Sequence, residues 1–285
     1  MLLVVLSDQT DRDCHGQRAH MQVDGYDIDI LVQGYPGKTV CHGGLGWSTI
    51  VLLRGHGRIA LIDVGSFNIR GPLIERLAAR GLEPRQVTDV LLTHSHWDHS
   101  VNWPLFKDAR IVIGAKELAW SLEQPWGSTP VPELYVKELQ RWPTVVTAED
   151  NATVLPGITA HIAPGHTPGC LAFLLRGKDS DVIFTGDAAK NRAELVSGTT
   201  DMTYDAAVSR ATIDMIWKVW RMRPGSIVVP GHDLPMMLDG DRPQYLGKRE
   251  AAITSWYGED LETTTLFELT MPATNAATQR VRITA

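Results

Sequence analysis

An α/β fold made of two βα-rich halves is what this sequence predicts, and three observations predict it. Short Val/Ile/Leu-rich runs recur and each ends on polar residues, as in "VTDVLLTH" (87–94), "SDVIFTGD" (180–187) and "SIVVPGH" (226–232). Stretches with helical apolar spacing lie between such runs, the alternation that builds sheets covered by helices. The chain has 285 residues, 44% of them hydrophobic, enough for one large core or two close halves.

The elements follow in order. After an irregular start, "DIDILVQG" (27–34) alternates like a half-buried strand, and "STIVLLRGHGRIALIDVG" (48–65) reads as a hairpin with a glycine-containing turn. From Pro72 to Arg80 the residues Leu73, Ile74, Leu77 and Ala78 share one face, and Gly81 stops a short amphipathic helix. "VTDVLLTH" and "ARIVIGA" (109–115) are buried strands. Residues 116–151 are rich in aromatics and prolines (Trp120, Trp126, Pro130, Pro132, Tyr135, Trp142, Pro143) and read as an insertion, part helix and part loop. "GITAHIAPGH" (157–166) and "SDVIFTGD" are strands. Asp205 caps a long helix carrying Val208, Ala211, Met215, Ile216, Val219 and Met222, closed by Pro224 and Gly225. "SIVVPGH" is the last clear strand. One domain over 1–273 is expected, with residues 274–285, polar and aperiodic, as a loose tail.

Charge and composition narrow the function. With 27 Lys/Arg against 33 Asp/Glu the net charge is -6, and no dense basic cluster offers itself to a nucleic acid. The opening "MLLVVLSDQT" is too short for a secretory core and lacks a basic lead, and no stretch has membrane-span length. Three scattered cysteines (Cys14, Cys41, Cys170) make no disulfide framework, so a cytoplasmic location is the expectation. The apolar and aromatic surplus is compatible with a homodimer.

"THSHWDHS" (93–100) gathers His94, His96, Asp98 and His99 at a strand end. In an extended segment residues two apart point the same way, so His94 and His96 can converge on one ion. Three more polar residues follow apolar strands: His166 in "APGHTPG", Asp187 in "FTGDAA" and His232 in "VPGHD". Glycine precedes each (Gly165, Gly186, Gly231) and permits the turn that aims a side chain over the strand ends. Nitrogen and carboxylate donors without thiolates favour zinc or a similar divalent ion.

These segments, in this order and preceded by "LIDVG", resemble the metallo-β-lactamase fold superfamily from about Trp47 to Asp233. The resemblance implies a four-layer αβ/βα sandwich with the metals at one rim of its two sheets. It implies His94, His96 and His166 around one metal, Asp98, His99 and His232 around a second, and Asp187 bridging them. Two Zn2+ per chain are the implied cofactors, with Mn2+, Fe2+ or Co2+ as alternatives. The superfamily's diiron oxygen reductases carry glutamate where His96 stands, which points to hydrolysis here. Its β-lactamases carry cysteine where Asp187 stands, which points away from penicillins.

What remains is a hydrolase of a small carbonyl compound, a lactone or ester, working through a hydroxide shared by two metals. A thioester or amide hydrolase with the same site is the alternative. From another class, an iron-containing redox enzyme or a metal-binding module without catalysis competes. The superfamily's acyl-homoserine lactonases commonly carry a tyrosine shortly after the bridging aspartate, where this chain has Lys190, Asn191 and Arg192. Asp98 is the expected proton shuttle, and Asp63 of "LIDVG" the residue that orients a ligand histidine. Trp97, Trp126 and Trp142 are candidate pocket walls, with Trp120 and Tyr135 beside them in a lid, and Lys190 and Arg192 candidate receivers of a substrate carboxylate. His15, His20, His42, His56 and His161 match no ligand segment.

Overall fold

This computed structural model describes residues 4–6, 19–39 and 43–270, with side chains from Met21 onward. Cys14, Cys41, His15, His42 and the expected tail from 274 lie outside the described residues, as does the side chain of His20.

Among the described residues the chain lays down two large sheets one after the other. The first has eight strands, adjacent in chain order: Val4–Leu6, Ala19–Val23, Tyr26–Val32, Ile50–Gly55, Arg58–Ile62, Asp89–Leu91, Arg110–Gly114 and Val145–Ala148. The second has seven: Ala152–Leu155, Ile158–Ile162, Leu171–Leu175, Val182–Gly186, Ile227–Pro230, Met236–Asp239 and Arg242–Tyr245. Hairpins give antiparallel pairs, whereas strands separated by a helix pair in parallel: Arg58–Ile62 with Asp89–Leu91, and Val182–Gly186 with Ile227–Pro230. Six helices accompany them: α1 (Arg70–Ala78), α2 (Trp97–Ser100), α3 (Ala115–Glu123), α4 (Glu133–Arg141), α5 (Arg192–Ser197) and α6 (Ala206–Met222).

Side-chain alternation along these strands sorts the apolar residues into three cores. Between the sheets, Ile28, Val51, Leu53, Ile62 and Val112 meet Ile158, Phe173, Leu175, Phe184 and Val229. On the first sheet's outer face, Leu52, Leu61, Val90 and Ile111 pack with Leu73 and Leu77 of α1, Leu118 of α3, and Val136 and Leu139 of α4. On the second sheet's outer face, Leu174, Ile183 and Val228 pack with Ile213, Ile216 and Trp220 of α6. Three cores separate four layers, so the molecule is the αβ/βα sandwich. Each fully buried Leu or Ile contributes about 1.5–3 kcal/mol against exposure, so the sheets are held by packing that owes nothing to a metal.

Two readings of the chain need correction. The stretch 116–151 is part helix and part loop, but it also carries a strand: α3 and α4, separated by the irregular residues 124–132, lead into Val145–Ala148, paired in parallel with Arg110–Gly114. Its prolines mark boundaries, Pro132 capping α4 and Pro143 following its end, because proline is tolerated where a helix has no bond to lose. "SIVVPGH" is not the last strand either. Met236–Asp239 and Arg242–Tyr245 extend the second sheet, and Ala252–Ser255 pairs with Thr265–Glu268 in a separate hairpin. Pro243 hides the former, since proline in a strand is confined to an edge, which is where Arg242–Tyr245 lies.

Candidate metal centre

Four segments, one from the first sheet and three from the second, converge at one rim. His94, His96, Asp98 and His99 follow strand Asp89–Leu91. His166 lies between strands Ile158–Ile162 and Leu171–Leu175, Asp187 directly follows Val182–Gly186, and His232 follows Ile227–Pro230. Gly165 (φ 129) and Gly186 (φ 47) adopt the conformations that suit glycine. Gly231 is needed for a different reason: a Cβ there would lie 2.2 Å from Asp187 Oδ1. The expected turn is therefore a close approach at that position.

The seven side chains form overlapping groups of His94/His96/His166, His94/His99/Asp187 and Asp98/His99/His232, the donor atoms of each group within 4.8 Å of one another. His166 Nε2 stands 3.2 Å from His94 Nε2 and 2.9 Å from His96 Nδ1. His232 Nε2 is 3.2 Å from His99 Nε2 and 3.3 Å from Asp98 Oδ2. Asp187 sits between the groups. Its Oδ2 is 3.3 Å from His166 Nε2, and its Oδ1 is 3.2 Å from His99 Nε2 and 3.3 Å from His232 Nε2.

This geometry fits divalent ions. Donors bonded at 2.0–2.1 Å around a tetrahedral zinc stand about 3.3 Å apart, close to the spacings in both groups. Asp187 Oδ1 is buried and accepts no hydrogen bond, a costly arrangement for a carboxylate unless a cation faces it.

The surroundings fix the tautomers. Asp63 Oδ1 accepts from the Thr93 amide, and its Oδ2 accepts from Thr93 Oγ1 and from His99 Nδ1, each at 2.8 Å. With its proton given to Asp63, the Thr93 hydroxyl accepts from His94 Nδ1 at 3.1 Å. The Nε2 atoms of His94 and His99 are thereby left free to ligate. Asp63 is held at φ 55, a left-handed conformation that costs a non-glycine residue about 1–2 kcal/mol, and its three hydrogen bonds offset that strain. Asp63 of "LIDVG" thus contacts His99 directly and His94 through Thr93.

Electrostatics divide the groups. Burial holds His94 well below the usual histidine range, and brings His96 to about 4 and His166 to about 3. Burial also opposes charge on His99 and His232, but there the neighbouring carboxylates win. Asp187, Asp98 and Asp63 raise His99 well above its ordinary value, and Asp187 and Asp98 raise His232 to about 9. Burial disfavours charge on Asp98 too, yet His99 and His232 outweigh it and bring the carboxyl to about 2.

The other expected site residues separate. Trp97 is exposed beside His96, and its amide donates to Pro130 O. Trp126 is exposed under the Lys137 ammonium, 4.2 Å from the ring centre. Trp142 packs in the outer core, its ring 5.2 Å from Trp103 and its Nε1 donating to Lys107 O. Tyr135 meets Phe67 at 5.5 Å. Lys190 lies by the ligands, its charge disfavouring protonation of His96 and His166, with Nζ 3.0 Å from Glu194 Oε1. Arg192 turns elsewhere: it donates to Pro243 O and lines a cavity of about 750 Å³ with Trp217 and Arg242, with no ligand residue in the lining.

Two residues that sequence reasoning did not single out stand close to the site. Tyr204 donates its amide to His166 O and sets its ring 5.9 Å from Trp120, which is itself 6.4 Å from the His96 ring. Glu117 is wholly buried between the two histidine loops. Neither carries a local signal, since each lies outside the ligand segments.

Similarity to known proteins agrees with this geometry. N-acyl homoserine lactonase AttM of Agrobacterium fabrum is 26% identical over 232 residues, covering 74% of this chain and 85% of AttM. The AttM of Azorhizobium caulinodans is 25% identical over the same extent. Among solved structures, the dizinc quorum-quenching lactonase AidC, in complex with a product, superposes with a TM-score of 0.63 at 16% identity, covering 81% of this chain and 97% of AidC. A variant of AiiA from B. thuringiensis with N-decanoyl-L-homoserine bound gives 0.60 at 18% identity, covering 75% and 94%. The profile of the metallo-beta-lactamase superfamily matches residues 43–253, a span that contains both halves of the sandwich rim and all seven converging side chains. On fold, site and profile together, the chain belongs to the metallo-beta-lactamase superfamily.

Proposed function

We propose that the protein is a zinc-dependent hydrolase that opens a small lactone, with His94, His96 and His166 holding one ion, Asp98, His99 and His232 the other, and Asp187 shared between them. The observation that carries this reading is the position of Asp187, one carboxylate oxygen toward each group. The lactonases among its relatives support the substrate class. Two divalent ions bound there would supply a polarising charge for the carbonyl and a water acidic enough to attack near neutral pH.

The chain's own residues do the rest. Asp98 has a more exposed side chain than its neighbours His99, His232, His166 and Asp187, at 17%. Held as a carboxylate at neutral pH by His99 and His232, it takes a proton from the attacking water and hands it to the alkoxide released when the ring's acyl–oxygen bond breaks. Asp63 and Thr93 keep the His94 and His99 rings from turning. Trp97, Trp120 and Tyr204 offer an aromatic wall to the acyl part of the substrate. Lys190, in place of the tyrosine of the acyl-homoserine lactonases, sets a positive charge near His96 and His166 while paired with Glu194. Its contact is the one through which a carboxylate or amide oxygen would be read.

The test is a panel of lactone, ester, thioester and amide substrates with the zinc-loaded protein. Lactone turnover exceeding the others in kcat/KM is expected. Preference for the thioester or the amide would move the substrate class while keeping the site. Absence of turnover with both metals bound would end the hydrolase reading.

A further inference from the structure

The three-histidine group is drawn from both sheets, so something must hold the two loops in register. Glu117, in the first turn of α3, has a wholly buried side chain that belongs to neither loop. Its Oε1 accepts from the Ser95 amide at 2.9 Å and from Ser95 Oγ at 2.8 Å. Its Oε2 accepts from Thr167 Oγ1 at 2.6 Å, and the Gly169 amide also donates to the carboxylate. Ser95 lies between His94 and His96, and Thr167 follows His166. The α3 backbone comes so near the second loop that a Cβ on Gly169 would lie 2.1 Å from Glu117 N.

We infer that Glu117 is a positioning residue for the three-histidine site, clamping its two loops so that His94, His96 and His166 present their nitrogens at metal-ligand spacing. The inference rests on the metal-site reading above. Its physical basis is the cost of a buried carboxylate. Such a group is tolerated only when its oxygens are fully bonded, and here the donors come solely from the two histidine loops. Moving either loop would strand the charge. The carboxylate therefore penalises separation of the loops far more than a neutral packed side chain would, and the ligands come pre-set.

Glu117→Gln keeps the size and removes the charge, and its amide NH2 would face donors. A matched control is Asp181→Asn. Asp181 is buried just before strand Val182–Gly186, bonded to Arg176, Arg223 and the Gly177 amide, away from the ligands. Metal affinity is measured by competition with a chromophoric chelator, and ligand geometry by the visible absorption of the Co2+-loaded protein. Melting of the metal-free proteins is followed by circular dichroism. Glu117→Gln is expected to lose on the order of 10–100-fold in metal affinity at the three-histidine site and to change the Co2+ bands, while Asp181→Asn lowers melting but binds metal like the wild type. Thr167→Val and Ser95→Ala, which each remove one hydroxyl donor, should fall between wild type and Glu117→Gln. They carry the test if Glu117→Gln does not fold.

Wild-type affinity and wild-type Co2+ bands in Glu117→Gln, or in both hydroxyl variants when it does not fold, would overturn the inference whatever the melting does. A wild-type protein that binds no metal would instead overturn the site reading itself.

Discussion

The two ligand groups at the rim are built in opposite ways. His94, His96 and His166 are neutral donors from two sheets, with their protons disfavoured by burial and their loops joined through Glu117. Asp98, His99 and His232 form an acid-rich group, in which carboxylates keep the histidines proton-hungry. This second group already holds compensating charge, and an ion entering it must displace protons. One rim thus combines two differently built groups, and Asp187 stands within 3.3 Å of residues in both.

The largest expected break in this comparison is Asp187→Asn. Removing the shared charge should lower kcat by roughly a thousandfold or more, weaken the acid-rich site and leave the circular dichroism unchanged, since the sheets are packed without the metal. Excess zinc should restore occupancy but only part of the rate. Near-normal turnover with two ions bound would remove Asp187 from the bridge.

Next comes Asp98→Asn. A fall in kcat of about 10²–10⁴-fold is expected from losing a general base, with KM little changed and the three-histidine site filling normally in metal titrations. Equal loss of metal from both groups would show that Asp98 acts through structure.

Asp63→Asn should be milder, about 10–100-fold in affinity at the acid-rich site. The three-histidine site is reached only through Thr93 and should change less. Site-resolved Co2+ spectra distinguish the two, and a larger loss at the three-histidine group would reverse the comparison.

The smallest effect is in the pH dependence of the chelator-treated protein. For His96 and His166, lowered to about 4 and 3, stability is lost as pH falls below the ordinary histidine value of 6.5, because the unfolded chain takes up protons first. For His232, raised to about 9, stability is full below 6.5 and is lost as pH rises through about 9. Melting temperature should therefore peak near pH 6.5 and fall on both sides. Zinc should flatten the profile. A metal-free melting curve that only rises from pH 5 to 9 would contradict the division between the groups.

The seven converging residues were legible because their signals are local. A histidine pair two apart at a strand end, and a polar residue after an apolar strand and a glycine, are patterns a few residues long, and the family resemblance orders them. The long α6 and the hairpin Ile50–Ile62 were legible for the same reason, period and turn being contained in the element. Residues 116–151 were legible only as a mixture of helix and loop, and not in their boundaries or their strand, because prolines at helix boundaries look like disruption when the boundaries are unknown.

By itself the sequence determined which side chains could bind an ion, and that they stand at strand ends within an α/β chain. Tertiary structure alone decided what holds them. It set Trp120 by His96, Tyr204 by Trp120 and Trp142 in the outer core, although all three are plain aromatics in sequence. It paired Lys190 with Glu194 close enough for its charge to act on His96 and His166, and turned Arg192 away, two residues apart on a turn that enters α5. It brought Glu117 between loops centred on Ser95 and Thr167, 22 and 50 residues distant. Such contacts leave no period in the chain, because they depend on how two sheets stack, and a carboxylate reveals its role only when its donors arrive from elsewhere in the fold.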